Sequence, residues 1–265
     1  VSAVHMVRKR FKLYRAFIKL FRHCSSDENL KQANRFLRDL GMSFSDLRDA
    51  HVRSETLRLL LSDRDPYSRK KAIKLLMDYN AIVVSELESS LLGDRDLFGE
   101  LQKQILSETV TERYIRSLRP DAECLCKGIV ETYSRCYSLK ESQPKNNNPE
   151  PLHEWRKRIK DLQYQTELMT DYLPDGHHPS AERIRELADL LGRDQDLHNL
   201  GAWISEAVRA AVDPEKIDSR TLRIHLNTLR DQLGREIDRM GRTVFSKTPE
   251  QYAHQIGSIN LDSYG

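Results

Sequence analysis

The chain has 265 residues, of which 38% are hydrophobic and 31% charged, and its formal net charge is +3. This length suffices for one large domain or two smaller ones. No apolar run approaches the ~20 residues that a membrane-spanning helix requires, and no secretory signal pattern is found, so we expect a cytoplasmic protein without membrane contact. The four cysteines lack regular spacing, which favours reduced thiols over a disulfide framework.

Apolar residues recur about every 3.6 positions along the chain, which predicts an all-α protein without strands. The predicted helices cover residues 3–24, 29–61, 66–92, 96–118, 121–139, 151–172, 180–211 and 217–245. Turn-forming residues separate them, for example Pro66 after Asp65. Segment 141–151 is rich in Asn and Pro and is predicted to be a mobile loop, and 246–265 a poorly ordered tail.

Two segments of the sequence each occur in two similar copies. HMVRKRFK (residues 5–12) is followed 148 positions later by HEWRKRIK (residues 153–160). RDLGMSFSDLRDAHV (residues 38–52) aligns with RELADLLGRDQDLHN (residues 185–199) at an offset of 147. Because two consecutive helices recur in order, we infer an internal duplication, which predicts two helical bundles related by a pseudo-two-fold axis.

The duplication also predicts the domain organisation. We expect a first helical repeat in residues 1–94, a connecting helix in 95–120, a second repeat in 121–245 and a tail in 246–265. The second copy has a helix before its His-led helix and the first copy has none. We therefore expect the first repeat to be truncated at its amino end and the natural protein to extend upstream of Val1.

The basic residues of the first helix share one side of it. His5, Arg8, Lys12, Arg15 and Lys19 fall within an arc of about 80° at 100° per residue. Apolar residues cover most of the remaining circumference, which predicts a helix enclosed by neighbours, with one basic ridge facing a groove or pore. Residues 1–26 contain seven Lys or Arg and no acidic residue, which favours an anionic ligand. A solvated surface face remains the alternative.

Other helices carry further cations. The second copy keeps His153, Arg156 and Lys160, whereas Gln163 and Glu167 replace Arg15 and Lys19. The third helix adds Lys70 and Lys74, and the last long helix adds Arg220 and Arg223. Converging ridges of this kind form a cationic channel suited to a linear polyanion, because the ridge spans about four helical turns. Arg and Lys both suit phosphate oxygens.

The paired helices VHMVRKRFKLYRAFIKLF and LHEWRKRIKDLQYQTELM, each followed by an RxL…D-type helix, resemble the CHAD domain (conserved histidine α-helical domain) over about residues 3–242. The resemblance implies two four-helix bundles with pseudo-symmetry, a basic central surface, and non-catalytic binding of inorganic polyphosphate. By motif, it implies the ligand-facing residues His5, Arg8, Lys9, Lys12, Arg15, Arg38, His153, Arg156, Lys157, Lys160 and Arg185. Gln163, Glu167 and Gln195 depart from the basic pattern, so the two halves are not expected to bind equally.

We expect no metal and no cofactor. The Cys124-x-Cys126 pair has no second pair at ligand spacing, and His5 with His153 lacks a nearby carboxylate or thiolate. Each of these two histidines is instead expected to donate to a phosphate or to a neighbouring carbonyl.

Other phosphate polyanions are possible ligands, and two alternative functions remain open. A nucleic-acid binder would use the same ridge, but Tyr14 and Tyr164 are the only aromatic residues close to the ridges. A phosphohydrolase acting on polyphosphate would need a carboxylate cluster for Mg²⁺ and a nucleophile, and the basic arcs offer neither. The leading expectation is a non-enzymatic polyphosphate-binding module associated with polyphosphate granules.

Overall fold

The computed structural model describes residues 2–21, 28–62, 66–93, 103, 122–143, 149–170, 179–210 and 217–257. Within these residues the chain forms nine α-helices and no strand, so the predicted all-α class is confirmed. The helices are α1 (Ser2–Leu20), α2 (Glu28–Met42), α3 (Ser45–Leu60), α4 (Tyr67–Gly93), α5 (Ala122–Glu141), α6 (Pro149–Leu168), α7 (Ala181–Ala210), α8 (Ser219–Val244) and α9 (Pro249–Gly257). The described part of the chain has no helix long and apolar enough to cross a membrane. Almost all of the predicted helix 96–118 lies outside the described residues.

The predicted helix 29–61 is wrong in one respect, because the structure divides it into α2 and α3 at Ser43 and Phe44. The duplication explains the difference. Gly41 and Ser43 align with Ala188 and Leu190 of the second copy, and Gly and Ser are poorer helix formers than Ala and Leu. The aligned part of the second copy accordingly stays within one continuous helix, α7.

The predicted tail is also wrong in part, because residues Pro249–Gly257 form α9. Tyr252 and Ile256, one helical turn apart, are fully buried. The Tyr252 ring stacks on the Tyr133 ring of α5 with centroids 4.0 Å apart, and the Tyr133 hydroxyl donates to the Lys247 carbonyl (2.8 Å). The segment after α8 is therefore part of the core.

The two His-led helices are neighbours. Helix α1 packs against α2, α5 and α6, and α6 also packs against α5 and α7. Helix α7 lies against α3 and α8, and α3 lies against α4. The crossing of α1 and α5 is especially close, because a Cβ at Gly128 would lie 2.4 Å from the Leu20 carbonyl oxygen. Through these contacts the duplicated basic helices lie side by side.

Helix α1 is enclosed over only part of its length. Its carboxyl half is buried at Ala16, Ile18 and Leu20, as the apolar pattern predicts. In the amino half, Met6 and Val7 are 60% and 42% exposed, so the expectation of full enclosure is wrong there. The basic residues of this half are therefore accessible from solution.

The expectation that all four cysteines are reduced is wrong at Cys124, which is disulfide-bonded. Cys126 and Cys136 are free thiols. Burial raises the pKa of both thiols, so neither is an activated nucleophile.

Candidate anion-binding site

Five cations from three helices lie close together and are called here the cationic cluster. Its members are Arg8 and Lys12 of α1, Arg48 of α3, and Arg156 and Lys160 of α6. Burial first, and then the positive charges of its four neighbours, lower the pKa of Lys12 from 10.5 to about 8. Lys12 nevertheless keeps access to solvent, so a ligand from solution can reach it. In the free protein, burial and the positive charges around Lys12 therefore disfavour its charged form.

Two members of the cluster have no partner. No described residue forms a hydrogen bond or an ion pair with Lys12 or Arg156, and the Nε of Arg156 is buried without an acceptor. A Cβ at Gly192 would lie 3.8 Å from that Nε, an ordinary van der Waals distance, so the guanidinium packs close to α7. A partly buried cation without a partner is costly to the free protein. An anionic ligand bound here would pair with both cations and so remove this cost.

Arg8 occupies the position of Arg156 in the first copy but is differently held. Its Nη1 donates to the Gly41 carbonyl oxygen and to the Ser45 hydroxyl, 3.3 Å away. The turn after α2 leaves the last carbonyls of that helix without helical donors, and Arg8 satisfies one of them. Because both acceptors are neutral, Arg8 is oriented while its charge remains uncompensated.

Five of the predicted site residues are instead paired with carboxylates. Although residues 1–26 contain no acidic residue, Asp161 of α6 pairs with Lys19 of the α1 ridge, and both side chains are largely buried. Lys160 is paired as well, but Asp189 is exposed and Lys160 still acts on Lys12. The pairs are Lys19–Asp161 (2.6 Å), Arg38–Asp39 (2.9 Å), Lys157–Glu154 (3.3 Å), Lys160–Asp189 (3.3 Å) and Arg185–Glu167 (3.0 Å).

The other predicted residues lie outside the cluster. The Arg15 Nε donates to Asn34 Oδ1 (3.0 Å), and burial lowers the pKa of Arg15. Lys9 is exposed on α1, and Lys70 is half-buried on α4. Lys74, Arg220 and Arg223 are exposed on α4 and α8, helices that contribute nothing to the cluster, and the side chain of His5 lies outside the described part of the structure.

His153 takes one of the two roles expected for it, donation to a carbonyl. Its Nδ1 lies 2.7 Å from Gln195 Oε1, and because an amide oxygen only accepts, Nδ1 carries the hydrogen. Gln195 in turn donates from Nε2 to Asn199 Oδ1 (2.8 Å). Among the described residues there is no group of three or more His, Cys, Asp or Glu that could hold a metal ion.

The predicted set omitted Arg48, whose position depends on a contact between distant helices. Arg48 aligns with Gln195, so it is basic in one copy only. The packing of α3 against α7 brings it beside Lys12 and Arg156. The available signal was its place in the repeated segment, directly before the aligned Asp49 and Asp196.

The fold and the cluster together define a class of protein, an all-α chain in which duplicated basic helices meet at a cationic surface. The sequence matches the family model described as CHAD domain over residues 1–205. The chain therefore belongs to the CHAD domain family, as its doubled motif predicts. No curated protein matches the sequence significantly. The family match ends within α7, so α8 and α9 lie beyond it.

Proposed function

We propose that this protein binds inorganic polyphosphate through the cationic cluster and acts by binding, without catalysis. The family assignment makes a polyphosphate-related role reasonable. The observation that carries the proposal is the pair Lys12 and Arg156, two cations that form no hydrogen bond or ion pair with a described residue. Lys12 faces four like charges, and Arg156 faces the Asp196 carboxylate and the like charge of Arg48. A linear polyanion supplies closely spaced charges and can contact several cations at once, whereas a single phosphate cannot. Association with cytoplasmic polyphosphate granules would follow from this affinity.

The helix contacts support a two-bundle arrangement around the proposed basic groove. Helix α1 packs on α2 as α6 packs on α7, and α3 packs on α4 as α7 packs on α8. Among the described helices, the two copies meet where α1 contacts α6 and α5 and where α3 contacts α7. We propose that these contacts relate the copies by a pseudo-two-fold axis and that the groove follows the cationic cluster.

The test is equilibrium binding of polyphosphate of defined length at several salt concentrations. For a single-stranded polyanion the slope of log K against log salt is about −0.7 per phosphate contact. The double variant Lys12→Gln/Arg156→Gln should lower the affinity and flatten this slope by roughly 1.4. The matched control Arg58→Gln/Arg242→Gln also removes two positive charges, both exposed, and should leave the slope unchanged. Equal effects of the two double variants would overturn the proposal.

The same assay separates the alternative functions. Single-stranded RNA and duplex DNA with equal numbers of phosphates should bind more weakly than polyphosphate, and tighter RNA binding would favour a nucleic-acid partner. Incubation with polyphosphate and Mg²⁺ should release no phosphate above a protein-free control. Turnover that disappears on substitution of a single carboxylate would favour a phosphohydrolase.

A further inference from the structure

A pocket of about 320 Å³ lies beside the cationic cluster, between α3 and α7. We call it the α3–α7 pocket and use six of its lining residues: Arg48, Arg53, Asp196, Asn199, Trp203 and Glu206. Arg48 belongs both to this lining and to the cluster. Pockets of about 300 Å³ lie at the lower end of the range that holds small organic ligands. The anion-binding surface therefore continues into a cavity of a different chemical character.

Two flat side chains form one wall of the pocket. The Arg53 guanidinium lies 5.0 Å from the centroid of the Trp203 ring. Each is held from behind: Arg53 Nε donates to Asn80 Oδ1 (3.0 Å), and Tyr79 stacks on Trp203 with centroids 5.9 Å apart. Heteroaromatic bases stack on guanidinium planes and on indole rings. Because Arg53 covers the Trp203 ring, a flat ligand ring would stack on the outer face of the Arg53 guanidinium, which Trp203 supports.

The α3–α7 pocket also has carboxylates in its lining, which can accept hydrogen bonds. Glu206 is exposed, and Asp196 is half-buried beside Arg48 and Arg156. Burial raises the pKa of Asp196, while these two arginines act in the other direction. Carboxylates repel a uniform polyanion but accept hydrogen bonds from sugar hydroxyls, as acidic residues do in dinucleotide-binding sites. Cations at one end and acceptors beside a flat wall at the other suit a ligand with a charged tail and a neutral, hydroxyl-bearing head.

We propose that this site binds nucleoside polyphosphates, with the phosphates on Arg48, Arg156 and Lys12 and the nucleoside in the α3–α7 pocket. The inference rests on the proposed function, because the same cations hold the phosphates of both ligands. It goes beyond that function in assigning a head-group site and a direction: the base lies towards Trp203 and the terminal phosphate towards α1.

The experiment compares ATP with inorganic tripolyphosphate, which has the same number of phosphates and no nucleoside, by calorimetry in EDTA-containing buffer. ATP should bind at least about tenfold more tightly and should change the emission of Trp203, which tripolyphosphate should not. Glu206→Gln should weaken ATP binding several-fold, because it replaces a charged acceptor for the sugar hydroxyls by a weaker, neutral one. It should leave tripolyphosphate binding unchanged or slightly tighter, because it also removes a repelling charge. Arg156→Gln should weaken the binding of both ATP and tripolyphosphate.

The outcomes distinguish the two proposals. If ATP binds no more tightly than tripolyphosphate, or if Glu206→Gln changes both affinities alike, the nucleoside site is overturned and polyphosphate binding stands. If neither compound nor long-chain polyphosphate binds, both proposals fall. Trp203→Leu and Asn199→Ala provide independent variants of the wall and of the exposed rim, and each should reduce only the affinity for ATP.

Discussion

Arg8 and Arg156 are the same position of the repeat placed in two environments. Arg8 donates to a backbone carbonyl and a hydroxyl, whereas Arg156 has no partner among the described residues. The difference arises because the chain turns after Gly41 in the first copy and continues as a helix past Gly192 in the second. One arginine therefore has a structural role in addition to its charge, and the other does not.

The free energy of unfolding should separate these two roles. Arg8→Gln should lower it by about 1–2 kcal/mol, because hydrogen bonds from a charged donor to the α2–α3 turn are lost. Arg156→Gln should change it less, because Arg156 donates to no described acceptor and its attraction to Asp196 is opposed by burial and by repulsion from Arg48. Urea unfolding in phosphate-free buffer measures both. A larger loss for Arg156→Gln than for Arg8→Gln would contradict this account.

Lys12 should make polyphosphate binding depend on pH. Its pKa of about 8 in the free protein must rise when an anion binds, so binding takes up a proton above pH 8. The affinity should therefore be constant below about pH 7 as far as Lys12 is concerned and fall above pH 8, by up to about tenfold per pH unit. Calorimetry at pH 7, 8 and 9 tests this. Lys12→Gln is the control, and a fall of the same size in that variant would assign the effect elsewhere.

At the scale of the helices, the spacing between α1 and α5 depends on a glycine. A Cβ at Gly128 would lie 2.4 Å from the Leu20 carbonyl oxygen, a backbone atom that cannot move without shifting α1. Gly128→Ala should therefore lower the free energy of unfolding by about 1–3 kcal/mol, the usual cost of overpacking. Displacement of α1 should also weaken polyphosphate binding, because α1 carries Arg8 and Lys12.

Gly41→Ala is the matched control. No atom lies within 4 Å of the Cβ that it would add, and the carbonyl that accepts from Arg8 is retained. Alanine is the better helix former, so this variant should be neutral or stabilising by up to about 1 kcal/mol. Equal destabilisation by both glycine substitutions in urea unfolding would show that close packing is not the cause at Gly128.

At the scale of the whole molecule, the sequence predicted what depends on a single helix or on the repeat. Periodicity predicted the helical class. The spacing of the duplicated motifs predicted four of the five members of the cationic cluster: Arg8, Lys12, Arg156 and Lys160. Features that depend on contacts between helices far apart in the sequence could not be predicted from periodicity or spacing. Arg48 joins the cluster only because α3 meets α7, and Asp161 neutralises Lys19 only because α6 meets α1.

Helix α9 was not predicted for a related reason, because only two of its nine residues are buried and they give little periodicity.

The contribution of α9 to stability can be tested at Tyr252. Tyr252→Ala should cost about 3–5 kcal/mol, the usual range for emptying a large aromatic site. Tyr252→Phe should be neutral or stabilising, because the buried hydroxyl of Tyr252 has no partner.

Two further variants control this experiment. His254→Ala, on the exposed side of α9, should leave the free energy of unfolding within about 0.5 kcal/mol of the original. Tyr133→Phe should lower it by about 1 kcal/mol, because that hydroxyl donates to the Lys247 carbonyl. Thermal unfolding followed by circular dichroism measures all four variants. A stable Tyr252→Ala protein would show that α9 is dispensable to the core.

The docking of α9 on α5 also sets the order in which a nascent chain can close. Helix α5 leaves the ribosome more than one hundred residues before Tyr252 and Ile256, which cover its Tyr133 face. Until those residues are synthesised, the Tyr133 ring lacks the Tyr252 ring that stacks on it and has, among the described residues, only Phe245 as an aromatic neighbour from beyond α7. The second copy thus completes its core only after α9 has been synthesised, so a partly made chain exposes the apolar surface of α5 that α9 later covers.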